Sequence, residues 1–239
     1  MSREITDDYK ELIIFFKQYS ISKIAVEKDY ISIISRVHKR YFVYLTITSE
    51  LAYLSKADSK LTPIFISNQL EYLKESCSDV GNAIFCLING SYKPSNLILR
   101  SSIETFLKGF NLDEYTDITT EKSVYKIFNN IKALPRFQDE PYKNTINDMH
   151  QIYGKLCEET HTADVLNMAH ITSMNYFPKF DKDKAEEIAD NLTKLINNYT
   201  TILLLKYSNY YHKMHFKNKQ NILSIISGDL KRKLQGIDN

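Results

Sequence analysis

Apolar residues recur along nearly the whole chain at the spacing of a helix, and few residues are present that would stop one. From about 26 to 56, Ile31, Ile34, Val37, Tyr41, Tyr44, Leu45, Thr48, Ala52 and Leu54 follow a period near 3.6. A second run continues to about 89 through Ile66, Leu70, Leu73, Cys77, Val80, Ile84 and Leu87–Ile88. Only 6 Gly and 5 Pro punctuate 239 residues, too few for the turns of an all-β fold. No segment alternates as a strand does, so the expected class is all-α: a single helical bundle of six to eight helices over 1–239. Within it, 1–57 reads as N-terminal helices, 58–215 as the bundle core and 216–239 as a C-terminal helix and tail.

Boundaries follow from capping residues. Thr6-Asp-Asp opens a helix over 6–19. Asn89-Gly90 ends the second long helix, because Gly is favoured beyond a helix C-terminus. Pro94 suits the first turn of the next, over about 94–112. Asp117 to Thr120 is expected to cap a helix over 121–134, and Pro135 and Pro141 precede a short one over 142–158. After an irregular 160–180, helices are expected over 182–214 and 218–234.

Composition excludes several classes. Net charge is +2, which gives no global field for nucleic acid or anionic membrane. Three cysteines (Cys77, Cys86 and Cys157) lack metal or disulfide spacing and fit reduced thiols. The polar, acidic N-terminus is unlike a signal peptide, and the longest apolar runs fall short of a membrane span. The expected location is therefore the cytoplasm, with no membrane contact and no cofactor. No Gly-rich phosphate loop or nucleophile elbow is present. A lone Glu158-x-x-His161 lacks the second copy that a di-metal bundle needs, so no metal is expected.

Two constellations could carry chemistry. Arg100 and Glu104 stand one turn apart on an otherwise apolar helix, with Ser95, Ser101, Ser102 and Gly109 small enough for close helix approach. Their plain reading is an intrahelical ion pair. About fifty residues on, Tyr153-Gly-Lys-Leu156-Cys157-Glu158-Glu159-Thr160-His161 places Tyr153 and Leu156 on one face and His161 at a helix end. His161 is either a C-terminal cap or an acid–base group facing Arg100 and Glu104.

Arg100-x-x-x-Glu104 after a Gly turn, followed by Tyr153-x-x-Leu156-Cys157-x-x-x-His161, resembles the bacterial helical-bundle proteins related to HEPN domains. Many of those lie beside defence, abortive-infection and toxin–antitoxin genes. The resemblance covers about 80–200; Cys157 stands where Ser is usual. It implies a helical bundle and metal-independent RNA cleavage, with Arg100 on phosphate, Glu104 orienting His161, His161 as base and Tyr153 lining the pocket. The standard ribonuclease motif of that family, Arg followed after four to six residues by His, is absent at Arg3, Arg36, Arg40, Arg100, Arg136 and Arg232. Whether the chain is an enzyme therefore stays open beside a non-enzymatic scaffold, in which the same residues hold helices in register.

The C-terminal region offers a third reading. Lys206, Lys213, Lys217, Lys219, Lys231, Arg232 and Lys233 face only Asp229, with Tyr207, Tyr210, Tyr211, His212, His215 and Phe216 interleaved. Cations among stacking aromatics suit RNA or DNA. The Ile222, Leu223, Ile225, Ile226 and Leu230 face could pack on the bundle or pair with a second chain as a homodimer. The expected partners are thus RNA, another protein or a second copy.

Overall fold

The computed structural model describes residues 7, 10, 13–15, 18–57, 63–160 and 176–236, apart from the side chains of 57, 159 and 160. The expected helix over 6–19 lies largely outside them. Among the described residues there is no strand, and eight helices run seven residues or longer. They are α1 (Lys28–Ala57), α2 (Gln69–Ile88), α3 (Tyr92–Asn111), α4 (Val124–Ala133), α5 (Tyr142–Thr160), α6 (Lys182–Lys206), α8 (Phe216–Ile225) and α9 (Gly228–Gln235), with a single turn, α7 (Ser208–Tyr211), between α6 and α8.

One continuous core draws on every long helix, from Ile33 of α1 to Leu234 of α9. The closest packing is the α2–α3 hairpin. Ser95, Ser102 and Gly109 recur every seven residues on α3, all buried against α2. A Cβ at Gly109 would come within 2.9 Å of the Leu73 backbone nitrogen, so the helices can approach this closely only with glycine there. Ser101, expected among these small residues, is exposed instead.

Four helices meet at a chain of hydroxyls. Tyr44 of α1 donates to Ser76 Oγ of α2 at 3.1 Å, and Ser76 donates to the Ser102 carbonyl of α3 at 3.0 Å. Ser102 Oγ lies 3.2 Å from the Tyr199 hydroxyl of α6. The Tyr199 ring stacks on Phe106 at 4.0 Å and tilts against Tyr44 at 5.5 Å. Burial pushes both phenols far above their ordinary pKa, so they stay neutral.

Three boundaries differ from expectation. Residues 116–119 form a 3-10 turn, and Ser123 rather than the 117–120 segment caps α4, accepting from the Lys126 amide at 3.4 Å. The helix expected over 182–214 stops at Lys206, although no Gly or Pro marks the place. There the Lys206 ammonium turns inward and the Tyr207 ring packs on Phe65 at 5.4 Å, so the break is tertiary. The final helix splits at Ser227, whose hydroxyl caps α9 by accepting from the Leu230 amide. Buried Glu50 of α1 holds the start of α8, accepting from the His215 amide at 3.1 Å and from Asn218 Nδ2 at 2.5 Å.

Helix α1 also differs in phase. Its buried apolar side chains are Tyr30, Ile33, Val37, Val43, Tyr44, Ile47, Leu51 and Leu54. Ile31 and Leu45, expected inside, are 50% and 36% exposed. The sequence merges two apolar stripes on one helix.

The α2–α3 turn gives a direct test. Gly90 has φ +71°, and a Cβ there would collide with the Lys179 carbonyl. Gly90→Ala should lower unfolding free energy by about 2 kcal/mol or more in urea titration; an unchanged midpoint would contradict the close fit.

Candidate functional site

Ser102 faces the hydroxyl chain, and Arg100, two residues earlier, points about 200° away around α3. That directs it to α5. Arg100 Nε donates to the Tyr153 hydroxyl at 3.2 Å, and its guanidinium carbon lies 5.3 Å from the centre of the Tyr153 ring. The side chain is half-buried. Burial works against its charge, but Tyr153 and Cys157 favour it and raise its pKa further. Burial likewise raises the Tyr153 phenol, with the Arg100 donation opposing, so the contact joins a fixed cation to a neutral hydroxyl.

Arg100 has no carboxylate partner among the described residues. The expected Arg100–Glu104 ion pair is replaced: Glu104 pairs with Lys108, one turn on, at 2.7 Å. Arginine without a carboxylate keeps donors for a planar or tetrahedral anion.

Helix direction separates Glu104 further. Phe110 meets Tyr142 and Arg100 meets Tyr153, so α3 and α5 run antiparallel. Thr160 at the end of α5 is then level with the start of α3, roughly 17 Å along the axis from Glu104. The arrangement expected from the sequence has Glu104 turned to His161. His161 itself lies outside the described residues. Cys157, one turn past Tyr153, still reaches Arg100 electrostatically.

His150, which belongs to no motif in the sequence, joins this face. It stacks on Phe128 of α4 at 4.4 Å, and Phe128 also touches Tyr153, at 5.7 Å. Lys132 Nζ donates to His150 Nδ1 at 3.0 Å. Burial, then the Lys132 charge, lower the imidazole pKa and keep it neutral near pH 7. The available signal was the three-residue spacing of His150 and Tyr153, one helical turn.

The C-terminal cations divide. Lys206 is 6% exposed in its side chain, pairs with Asp113 at 2.6 Å, donates to the Phe110 carbonyl and lies over the Phe110 ring at 4.6 Å. It is a buried strut and does not reach a nucleic acid. Tyr207 and Tyr211 are buried too. Lys219 donates to the His212 carbonyl at 3.2 Å, Lys213 lies 5.4 Å from the Tyr210 ring centre, and Arg232 pairs with Asp229. Lys217 and Lys233 are exposed and Lys231 partly so. Ile222 and Leu230 are buried, with Leu223, Ile225 and Ile226 packed against the core, so that face is used within the chain.

Among the described residues no group of three or more His, Cys, Asp or Glu could hold a metal, and no helix is long and apolar enough to cross a membrane. A cleft of about 280 Å³ near the α2 N-terminus is lined by neutral residues, among them Ser67, Asn68, Tyr72 and Thr116. It holds no acid or cation. Against protein-family models, curated proteins and solved structures, the chain finds no match.

The His150 pKa lies below its unfolded value, so the unfolded chain binds the proton first as pH falls. Its contribution to stability is therefore present above the ordinary histidine pKa and lost on acidification through that range. In an NMR titration, Lys132→Met should raise the His150 pKa; a fall, or no movement, contradicts the assigned contact.

Proposed function

We propose that this is a cytoplasmic helical-bundle protein of a HEPN-like kind, acting in a prokaryotic defence or toxin–antitoxin setting on RNA. The observation that carries this reading is Arg100. It is held over Tyr153, half-buried, and unpaired with any carboxylate among the described residues. A guanidinium fixed in this way receives a phosphate with little loss of side-chain freedom. Tyr153 supplies a partly exposed aromatic ring beside it, packed on the fully buried Phe128, and the neutral His150 lies against the same Phe128 ring. In the sharper form His161, directly after α5, serves as general base for the ribose hydroxyl while Arg100 stabilises the charge that develops. Glu104, expected to orient His161, pairs with Lys108.

The missing Arg-to-His spacing supports a second reading, in which the cluster binds RNA or a protein partner without cleaving it, or only holds α3 and α5 in register. In a third, RNA or DNA binds the basic C-terminal helices, where Lys217 and Lys233 are exposed.

Incubation of wild type, Arg100→Ala and His161→Ala with total RNA, alongside thermal melts, separates these. Ribonuclease activity should fall at least 100-fold in both variants while melting temperatures stay within a few degrees. Wild type that leaves RNA intact rules out the enzyme. A large drop in melting temperature for Arg100→Ala, without RNA cleavage by wild type, assigns the cluster to structure.

A further inference from the structure

Helix α1 carries a second apolar stripe that no described residue of the chain covers. Ile31, Phe42 and Tyr53 are 50%, 46% and 69% exposed, and Leu45 is 36% exposed. Ser35, His38 and Ser49 are exposed between them. Positions 31, 35, 38, 42, 45, 49 and 52 alternate steps of four and three, the spacing of a coiled-coil seam. At about 100° per residue this stripe is centred roughly 160° from the core-facing one, on the side of α1 pointing away from α2, α6 and α8.

The ends of the stripe are charged with opposite sign. Glu27 stands just before the helix and Lys56 in its last turn, both exposed and both on the same line as Phe42 and Leu45. Among the described residues neither has an ion-pair partner. Phe42 lies within one residue of the midpoint between them.

We propose that α1 docks against α1 of a second copy, antiparallel, about a two-fold axis at Phe42. In that register Phe42 meets Phe42 of the other copy, His38 faces Leu45, Ser35 faces Ser49 and Ile31 reaches Ala52 and Tyr53. Glu27 faces Lys56 at each end. A parallel pair would set Glu27 against Glu27 and Lys56 against Lys56, so the charges select the antiparallel arrangement. The contact is isologous and closes on itself, and the 30-residue helix gives it a length of roughly 45 Å. Polar Ser35, His38 and Ser49 within the seam fix its register. Arg100 and Tyr153 are not part of this surface; α5 packs on α3, α4 and α6.

Sedimentation equilibrium of the full chain tests the pairing, with circular dichroism as a check on folding. Wild type at about 100 µM should have twice the 27.9 kDa chain mass, and Phe42→Glu should be a monomer with an unchanged helical signal. Lys56→Glu and Glu27→Lys, each on a solvent-facing residue, should each weaken dimerisation by about tenfold or more, and the two together should restore it. A monomeric wild type overturns the proposal, as does a dimer that Phe42→Glu leaves intact. Charge reversals that act equally alone and together overturn the antiparallel register. If Phe42→Glu loses its helical signal, the charge reversals decide alone.

Discussion

The fold depends on where two buried phenols find partners. Tyr44 and Tyr199 are fully buried, and a buried hydroxyl left without a hydrogen bond is destabilising by about 1–3 kcal/mol. Each is met only if α1, α2, α3 and α6 stand in one register, through Ser76 and Ser102. Stacking of Tyr199 on Phe106 fixes the same register by shape. Ser102 on the inner side of α3 leaves Arg100 on the other, toward α5. The polar contact at Arg100 is thus a consequence of the core.

Around this centre, charged groups act mainly as struts. Lys206 ties the end of α6 to the end of α3, Glu50 holds the start of α8, and Arg36 of α1 bridges Glu186 and Asp190 of α6. The buried ones are satisfied: Lys206 by a backbone carbonyl and Asp113, and Glu50 by a backbone amide and the Asn218 side chain. Arg100 differs from these in its described surroundings: its partners are an aromatic ring and a neutral hydroxyl. That contrast separates Arg100 from the structural ion pairs.

Much of the architecture was legible in the sequence. The long apolar periodicities gave α1 to α3 and α6, and Asn89-Gly90 marked the turn that Lys179 clamps. What was not legible depended on distant contacts. The period of α1 was plain, but not which of two stripes faced the core, since both carry Ile, Leu and aromatic residues. The stop at Lys206 has no local signal, because its cause is an aspartate 93 residues earlier in the chain. Arg100 and Glu104 had the right spacing to pair, yet each found another partner. Tyr153, expected to line a pocket, lies against Arg100, while His150 one turn before it carried no motif of its own.

The central functional claim is that Tyr153 holds Arg100 ready for a phosphate, and a double-mutant cycle on affinity for single-stranded RNA at fixed salt tests it most directly. Arg100→Ala, Tyr153→Ala and the double variant should all bind about equally weakly, giving a coupling energy of roughly 1 kcal/mol or more. Affinities that do not change, or losses that simply add, would contradict it.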